Sequence, residues 1–314
     1  MRSVFSYTIL TLFLAMILFT GCKDETKNAV TADRLLICSG LPPIAYLASA
    51  VGGDRVNSRT MLPEGRSPHD YSPGPEEIRS ALAAKLFFTT GMTYENKISR
   101  MLNSDRTGVV DVGKGVERIL FSGEEGHHDH DAGHKHDDHD HEAGSPDPHI
   151  WLSADNAVII AKNIADALTQ ADPAGASVYT ANFEAIKARL QESGNYAKTE
   201  LAPYANRAFF VYHPAFGYFA KMTNLVQISI ELEGRETTAA RLAEIIKHAR
   251  EEKVKVVFVQ PRFNPTGAKA LENAIGGKVA GLDALASDIP ANFRAMTDAL
   301  KAGFAEEKTR AEVK

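Results

Sequence analysis

The sequence predicts an α/β protein with two parallel-sheet lobes, each of (βα)4 type, joined by one long helix. Three observations lead there. Short apolar runs alternate with helical patterns in both halves of the chain. The runs are unbroken rather than polar-alternating, as expected of strands covered on both faces. Between the halves, a stretch of about 28 residues reads as a single helix. The composition, 44% hydrophobic and 24% charged over 314 residues, suits one large or two medium globular domains.

The chain opens with MRSVFSYTILTLFLAMILFTGCKDETKNAV. One Arg and an apolar run from Ile9 to Phe19 give residues 1–21 the form of a secretory signal peptide, too short for a membrane span. FTGC at 19–22 resembles a bacterial lipobox in which Cys22 carries the lipid, with Phe19 where leucine is usual. Residues 22–33 are polar and read as a flexible tether. A lipidated Cys22 leaves Cys38 without a disulfide partner, and its apolar setting, RLLICSG, reads as a buried inert thiol.

The first lobe, 34–171, has strands at 34–38, 58–62, 85–90 and 108–112, with helices at 43–51, 75–84, 94–103 and 154–170. The linking helix occupies 174–201 within a 172–204 segment. Asp172 serves as its N-cap and Pro173 opens the first turn. Val178, Ala181, Ala185, Ala188, Leu190, Ala197 and Leu201 form its apolar side, and Gly194 weakens it without ending it. At 1.5 Å per residue it spans about 42 Å, a spine that limits lobe motion to small tilts or loop shifts. The second lobe, 205–314, has strands at 208–212, 226–230, 254–259 and 278–282. Its helices lie at 216–222, 238–252, 267–275 and 290–307.

Seven of the eleven histidines crowd into GHHDHDAGHKHDDHDHE: His127, His128, His130, His134, His136, His139 and His141. The surrounding loop, 124–144, has no apolar residue except two alanines, so it has nothing to bury and reads as disordered. Residues 124–142 hold eight acidic residues against one lysine. The rest of the chain therefore carries a net +2 of the formal −5. A nearly neutral body gives a nucleic-acid partner no electrostatic support.

Four histidines lie outside that tract. His248 sits on the polar face of a helix and reads as solvated. His69 follows the second strand, and His213 ends the fifth, just before Pro214. His149 lies in SPDPHIWLS, on the segment returning from the fourth strand. Ligands of parallel α/β sheets bind beyond the carboxyl ends of strands. Asp283, after the last strand, occupies an equivalent place. Three imidazoles and a carboxylate, two from each lobe, make a tetrahedral set for a metal in the interlobe cleft.

The motifs PHDYSPGPEEI, DPHIWLS, YHPAFGYF and GLDALASD, in that order, resemble the zinc- and manganese-binding substrate-binding proteins of bacterial ABC transporters, the ZnuA-like family, over residues 33 to about 307. TTGMTYE is similar to that family's Gly-x-x-x-Glu turn, here Gly91 and Glu95. The resemblance implies that His69, His149, His213 and Asp283 hold the metal. It also implies that the chain, an extracytoplasmic lipid-anchored monomer, passes the ion to a membrane permease. Ala284 stands where the family usually has proline, Asn96–Lys97 replace a common Pro–Trp pair, and a cysteine pair found in some members is absent.

Manganese favours oxygen-rich shells, and the manganese members carry a glutamate at the third position. His213 there favours Zn²⁺. The histidine tract, similar to a loop in zinc members, points the same way and reads as a collector or sensor of zinc. Neutral imidazoles are needed, so affinity is expected to fall as pH drops through the histidine range. Two other classes compete with transport. A zinc hydrolase would use the three histidines with Asp283 or Asp70 as base, but there is no HExxH pairing and a fourth protein ligand closes the site. A surface adhesin would use the metal structurally.

Overall fold

A computed structural model describes residues 34–64, 66–102, 107–120, 146–230, 243, 246–247, 249–250, 254, 256–261 and 265–312. Strands β1 (Leu35–Ser39), β2 (Val56–Thr60), β3 (Leu86–Thr89) and β4 (Gly108–Asp111) form one sheet in the order β2-β1-β3-β4. Strands β5 (Ala208–Val211), β6 (Val226–Ser229), β7 (Val256–Val259) and β8 (Lys278–Gly281) form a second in the order β6-β5-β7-β8. Every pairing is parallel, and the two sheets repeat one strand order. Helices α1 (Pro42–Gly52), α2 (Pro75–Ala83), α3 (Thr93–Leu102) and α4 (Ala154–Ala171) belong to the first half. Helix α5 (Ala176–Leu201) links the halves, and α6 (Gly217–Thr223), α7 (Pro265–Ile275) and α8 (Ile289–Glu312) follow. No helix among the described residues is long and apolar enough to cross a membrane.

The strand expected at 58–62 begins two residues earlier. Val56 pairs with Leu35, and the paired stretch VNSRT is mostly polar because β2 is an edge strand. The apolar Met61 and Leu62 lie just past it. Their amides still reach the Ser39 and Gly40 carbonyls at 2.7 and 3.1 Å.

One hydrophobic core runs through both lobes. It joins Ile37, Phe87 and Phe88 of the first sheet, Trp151 and Ile160, the α5 residues Tyr179 and Leu190, and Phe258 and Phe293 of the second lobe. A second cluster, including Phe210, Val257, Leu271 and Ile275, covers the other face of the second sheet. Along β5 the two-residue period sends Phe209 and Val211 into the shared core and Phe210 into the outer one.

Helix α5 is long, as expected, and buries Leu190, Ala197 and Leu201 as expected, but its first half turns a different face inward. Tyr179, Phe183, Ile186 and Leu190 are buried, whereas Val178, Ala181, Ala185 and Ala188 are exposed. The aromatic and branched side chains, each with far more apolar area than alanine, set the rotation. Gly194 serves close packing: a Cβ there would stand 2.4 Å from the Ala154 Cβ of α4. Asp172 does not cap α5. Its carboxylate accepts from Arg55 Nε at 2.8 Å and from the Tyr179 hydroxyl at 2.6 Å, while Pro173–Gly175 form a 3-10 turn and the helix starts uncapped after Gly175.

The Gly-x-x-x-Glu turn after β3 has a physical basis. Glu95 is fully buried, and its Oε2 accepts from the Thr90, Gly91 and Met92 amides and the Thr89 and Thr90 hydroxyls, all within 3.1 Å. Gly91 sits at φ 97°, which a side chain would strain. Burial pushes the Glu95 carboxyl up, against the downward pull of its hydrogen bonds.

Candidate metal centre

The first lobe brings His69 on the segment between β2 and α2. Tyr71, two residues on, anchors that segment. Its hydroxyl donates to the Met61 carbonyl at 3.0 Å, and its ring meets Tyr94 edge-on at 5.3 Å. His69 itself is half-buried, and its amide donates to Ser67 Oγ at 3.3 Å. Asp70 beside it is exposed.

His149 lies on the return segment before α4 and is 2% exposed. Asp147 Oδ1 accepts from both the His149 amide and its ring Nδ1, each at 2.8 Å. A carboxylate only accepts, so Nδ1 carries the proton and Nε2 keeps its lone pair for an ion. Burial pushes the His149 imidazole below its ordinary value; Asp147 opposes this, and neighbouring His213 adds to it. Proton competition at this ligand therefore begins below the usual histidine range.

His213 follows β5 at the strand's carboxyl end and is 7% exposed. The turn beyond it is fixed by Gln227 of β6, whose Oε1 accepts the Phe216 amide at 2.6 Å. The three imidazoles converge. Ring centroids are 5.4 Å apart for His69–His149, 4.6 Å for His69–His213 and 5.5 Å for His149–His213. One nitrogen from each lies within 4.8 Å of the other two. Nitrogens bound tetrahedrally to zinc stand roughly 3.3 Å apart, so an ion has to draw them in by no more than about 1.5 Å. This is the only grouping of three or more His, Cys, Asp or Glu among the described residues.

Asp283 stands outside that grouping. Its Oδ1 accepts the Leu285 amide at 2.8 Å, and its carbonyl accepts from Asn292 Nδ2 at 2.7 Å. Trp151 Nε1 donates to the next carbonyl, Ala284, at 2.7 Å. One carboxylate oxygen is thus engaged within its own loop, at the strand end where the sequence puts it. Burial pushes the Cys38 thiol up to about 12, in keeping with an inert core residue.

Cys22, the signal peptide and tether, His248 and the seven tract histidines (His127, His128, His130, His134, His136, His139, His141) lie outside the described residues. Sequence reasoning missed the roles of Asp147, Trp151 and Asn292. The only local signal was an aspartate two residues before a histidine.

Residues 37–303 match the family described as zinc-uptake complex component A, periplasmic (ZnuA). The chain is 27% identical over 268 residues to the manganese ABC transporter substrate-binding lipoprotein PsaA of Streptococcus mitis, 81% of each chain being covered. It is 26% identical over 285 residues to the zinc-binding protein AdcA of Streptococcus pyogenes serotype M3, covering 88% of this chain and 55% of AdcA. A crystal structure of ZnuA superposes with a TM-score of 0.76 at 29% identity, over 86% of this chain and 99% of that one. A match that takes in both sheets and all three converging histidines leaves no separate catalytic reading. The chain belongs to the ZnuA family, the metal-binding, non-enzymatic substrate-binding components of ABC transporters.

Proposed function

We propose that this chain captures Zn²⁺ outside the cytoplasmic membrane and hands it to the permease of a zinc ABC transporter. The observation that carries the reading is the donor set: one nitrogen from each of three imidazoles, all within 4.8 Å of one another. Nitrogen donors favour zinc over manganese, which prefers oxygen. His69, His149 and His213 bind the ion, and Asp283 supplies the fourth donor by releasing the Leu285 amide and turning outward. Capture then needs rotation of one side chain and small shifts of three rings, in line with lobes that share one core. The histidine tract is an accessory collector of zinc, with sites weaker than the cleft. A lipid on Cys22 holds the monomer at the membrane beside its permease.

Calorimetric titration of wild type, His213→Glu and a 124–144 deletion with Zn²⁺ and Mn²⁺ tests this. Wild type should bind zinc at least tenfold tighter than manganese. His213→Glu should narrow that ratio, and the deletion should keep the tightest site. Equal affinity for the two metals, or loss of the tightest site with the tract, defeats the assignment.

A further inference from the structure

His149 has a second set of supports that come from the opposite lobe. Asp147, which holds its ring, is 2% exposed, and its Oδ2 lies against Gly217, the first residue of α6. A Cβ at Gly217 would come within 2.9 Å of that oxygen and 3.2 Å of Ile119 Cδ1. The neighbouring Tyr218 bridges the same segment: its hydroxyl donates to the Asp147 carbonyl and accepts the Ile119 amide, each at 3.2 Å. The Asp147 amide in turn donates to the Ile119 carbonyl at 2.8 Å. Helix α6 starts four residues after His213.

We propose that Asp147 is a positioning residue for metal capture, and that Gly217 and Tyr218 of the second lobe set its place, registering the His149 arm directly to the His213 arm. A carboxylate bonded to a ligand's distal ring nitrogen fixes both the tautomer and the orientation of the ring. Here the carboxylate has little freedom of its own. His149 holds one oxygen, the other occupies space that only a glycine at 217 leaves open, and Tyr218 pins its main chain. Further along the same segment, Trp151 fixes the Ala284 carbonyl beside Asp283. Residues 147–151 thus touch both ligand-bearing loops of the second lobe. The His69 segment is anchored differently, through Tyr71 to Met61 of the first lobe.

This rests on the three histidines being a metal site, and the experiment separates the two claims. The first readout is the ¹⁵N–¹H ring correlation of His149 in the metal-free wild-type protein. The proposal requires the Nδ1–H tautomer, and an Nε2–H tautomer overturns it without any variant being made. The second is zinc titration of Asp147→Asn, Tyr218→Phe and Gly217→Ala in the full chain. Asp147→Asn is expected to weaken binding by about 10- to 100-fold, with a mixed His149 tautomer, the range typical of lost outer ligand contacts. The two second-lobe variants should weaken binding several-fold while His69 signals stay in place. Wild-type affinity in Tyr218→Phe and Gly217→Ala together defeats the cross-lobe claim. If wild type itself binds no zinc in the cleft, the functional reading fails instead, whatever tautomer is seen.

Discussion

The His149 and His69 arms of the site offer the same imidazole to the same point from different mechanical settings. His149 is buried, bonded twice to the Asp147 carboxylate, and edge-on to the Trp151 indole, while Tyr218 holds the Asp147 carbonyl. His69 is half-buried on a connecting segment, its amide on Ser67 and its neighbour Tyr71 bonded to Met61. Chemistry alone makes the two donors equal. Support makes them unequal, because a donor already in place spends none of its binding energy on being ordered.

Removing the support of the rigid arm gives the largest effect. Trp151 is 1% exposed, and its Nε1 fills the Ala284 carbonyl. Trp151→Ala should cost about 3–5 kcal/mol of stability in thermal unfolding, typical of a large buried aromatic. Zinc affinity should fall as well, since the Asp283 loop loses its anchor. Unchanged affinity in a folded Trp151→Ala protein would detach that loop from the site.

Deleting the donors one at a time tests the inequality itself. His149→Ala and His69→Ala each remove one nitrogen, and the proposed four-donor site, if worth about 10–16 kcal/mol, loses roughly 3 kcal/mol per ligand. The ordering cost of a side chain, about 0.5–1.5 kcal/mol at most, is smaller for the buried, carboxylate-held His149 than for the half-buried His69. Calorimetry should therefore show His149→Ala binding zinc up to about tenfold more weakly than His69→Ala. The reverse order breaks the comparison.

The smallest effect is expected at the anchor of the looser arm. Tyr71→Phe removes one hydrogen bond, to the Met61 carbonyl, and keeps the ring on Tyr94. A loss of about 1 kcal/mol, close to fivefold in affinity, is expected by titration. A loss as large as that of His69→Ala would mean that the segment is held by this bond alone.

Much of the frame was readable from residues. Unbroken apolar runs such as LFFT and VVFV mark strands buried on both faces, and both proved so. The three ordered histidines stood out because strand ends in parallel sheets are where ligands sit. What local pattern concealed was identity of partner. Asp172 resembles an N-cap, but Arg55 lies 117 residues away in sequence and takes its carboxylate. The α5 face was misread by counting alanines equally with Tyr179 and Phe183. The contacts that hold His149 join residues 71 and 133 positions apart, between Tyr218 and Asp147 and between Trp151 and Ala284. No periodicity encodes such distances. The Asp283 side chain was legible as a position, while its bond to Leu285 depends on the turn that follows.

The core that runs from Ile37 to Phe293 without a break at the lobe boundary has a thermodynamic consequence. Two lobes that share buried side chains cannot melt independently without exposing each other's interior, so heat should see one cooperative unit. Ligand free energy gained at the rim of the cleft then accrues to the whole molecule. A cargo ion at a hundred times its dissociation constant adds about 2.7 kcal/mol to the folded state. A loaded carrier and an empty one are, in that sense, proteins of different durability.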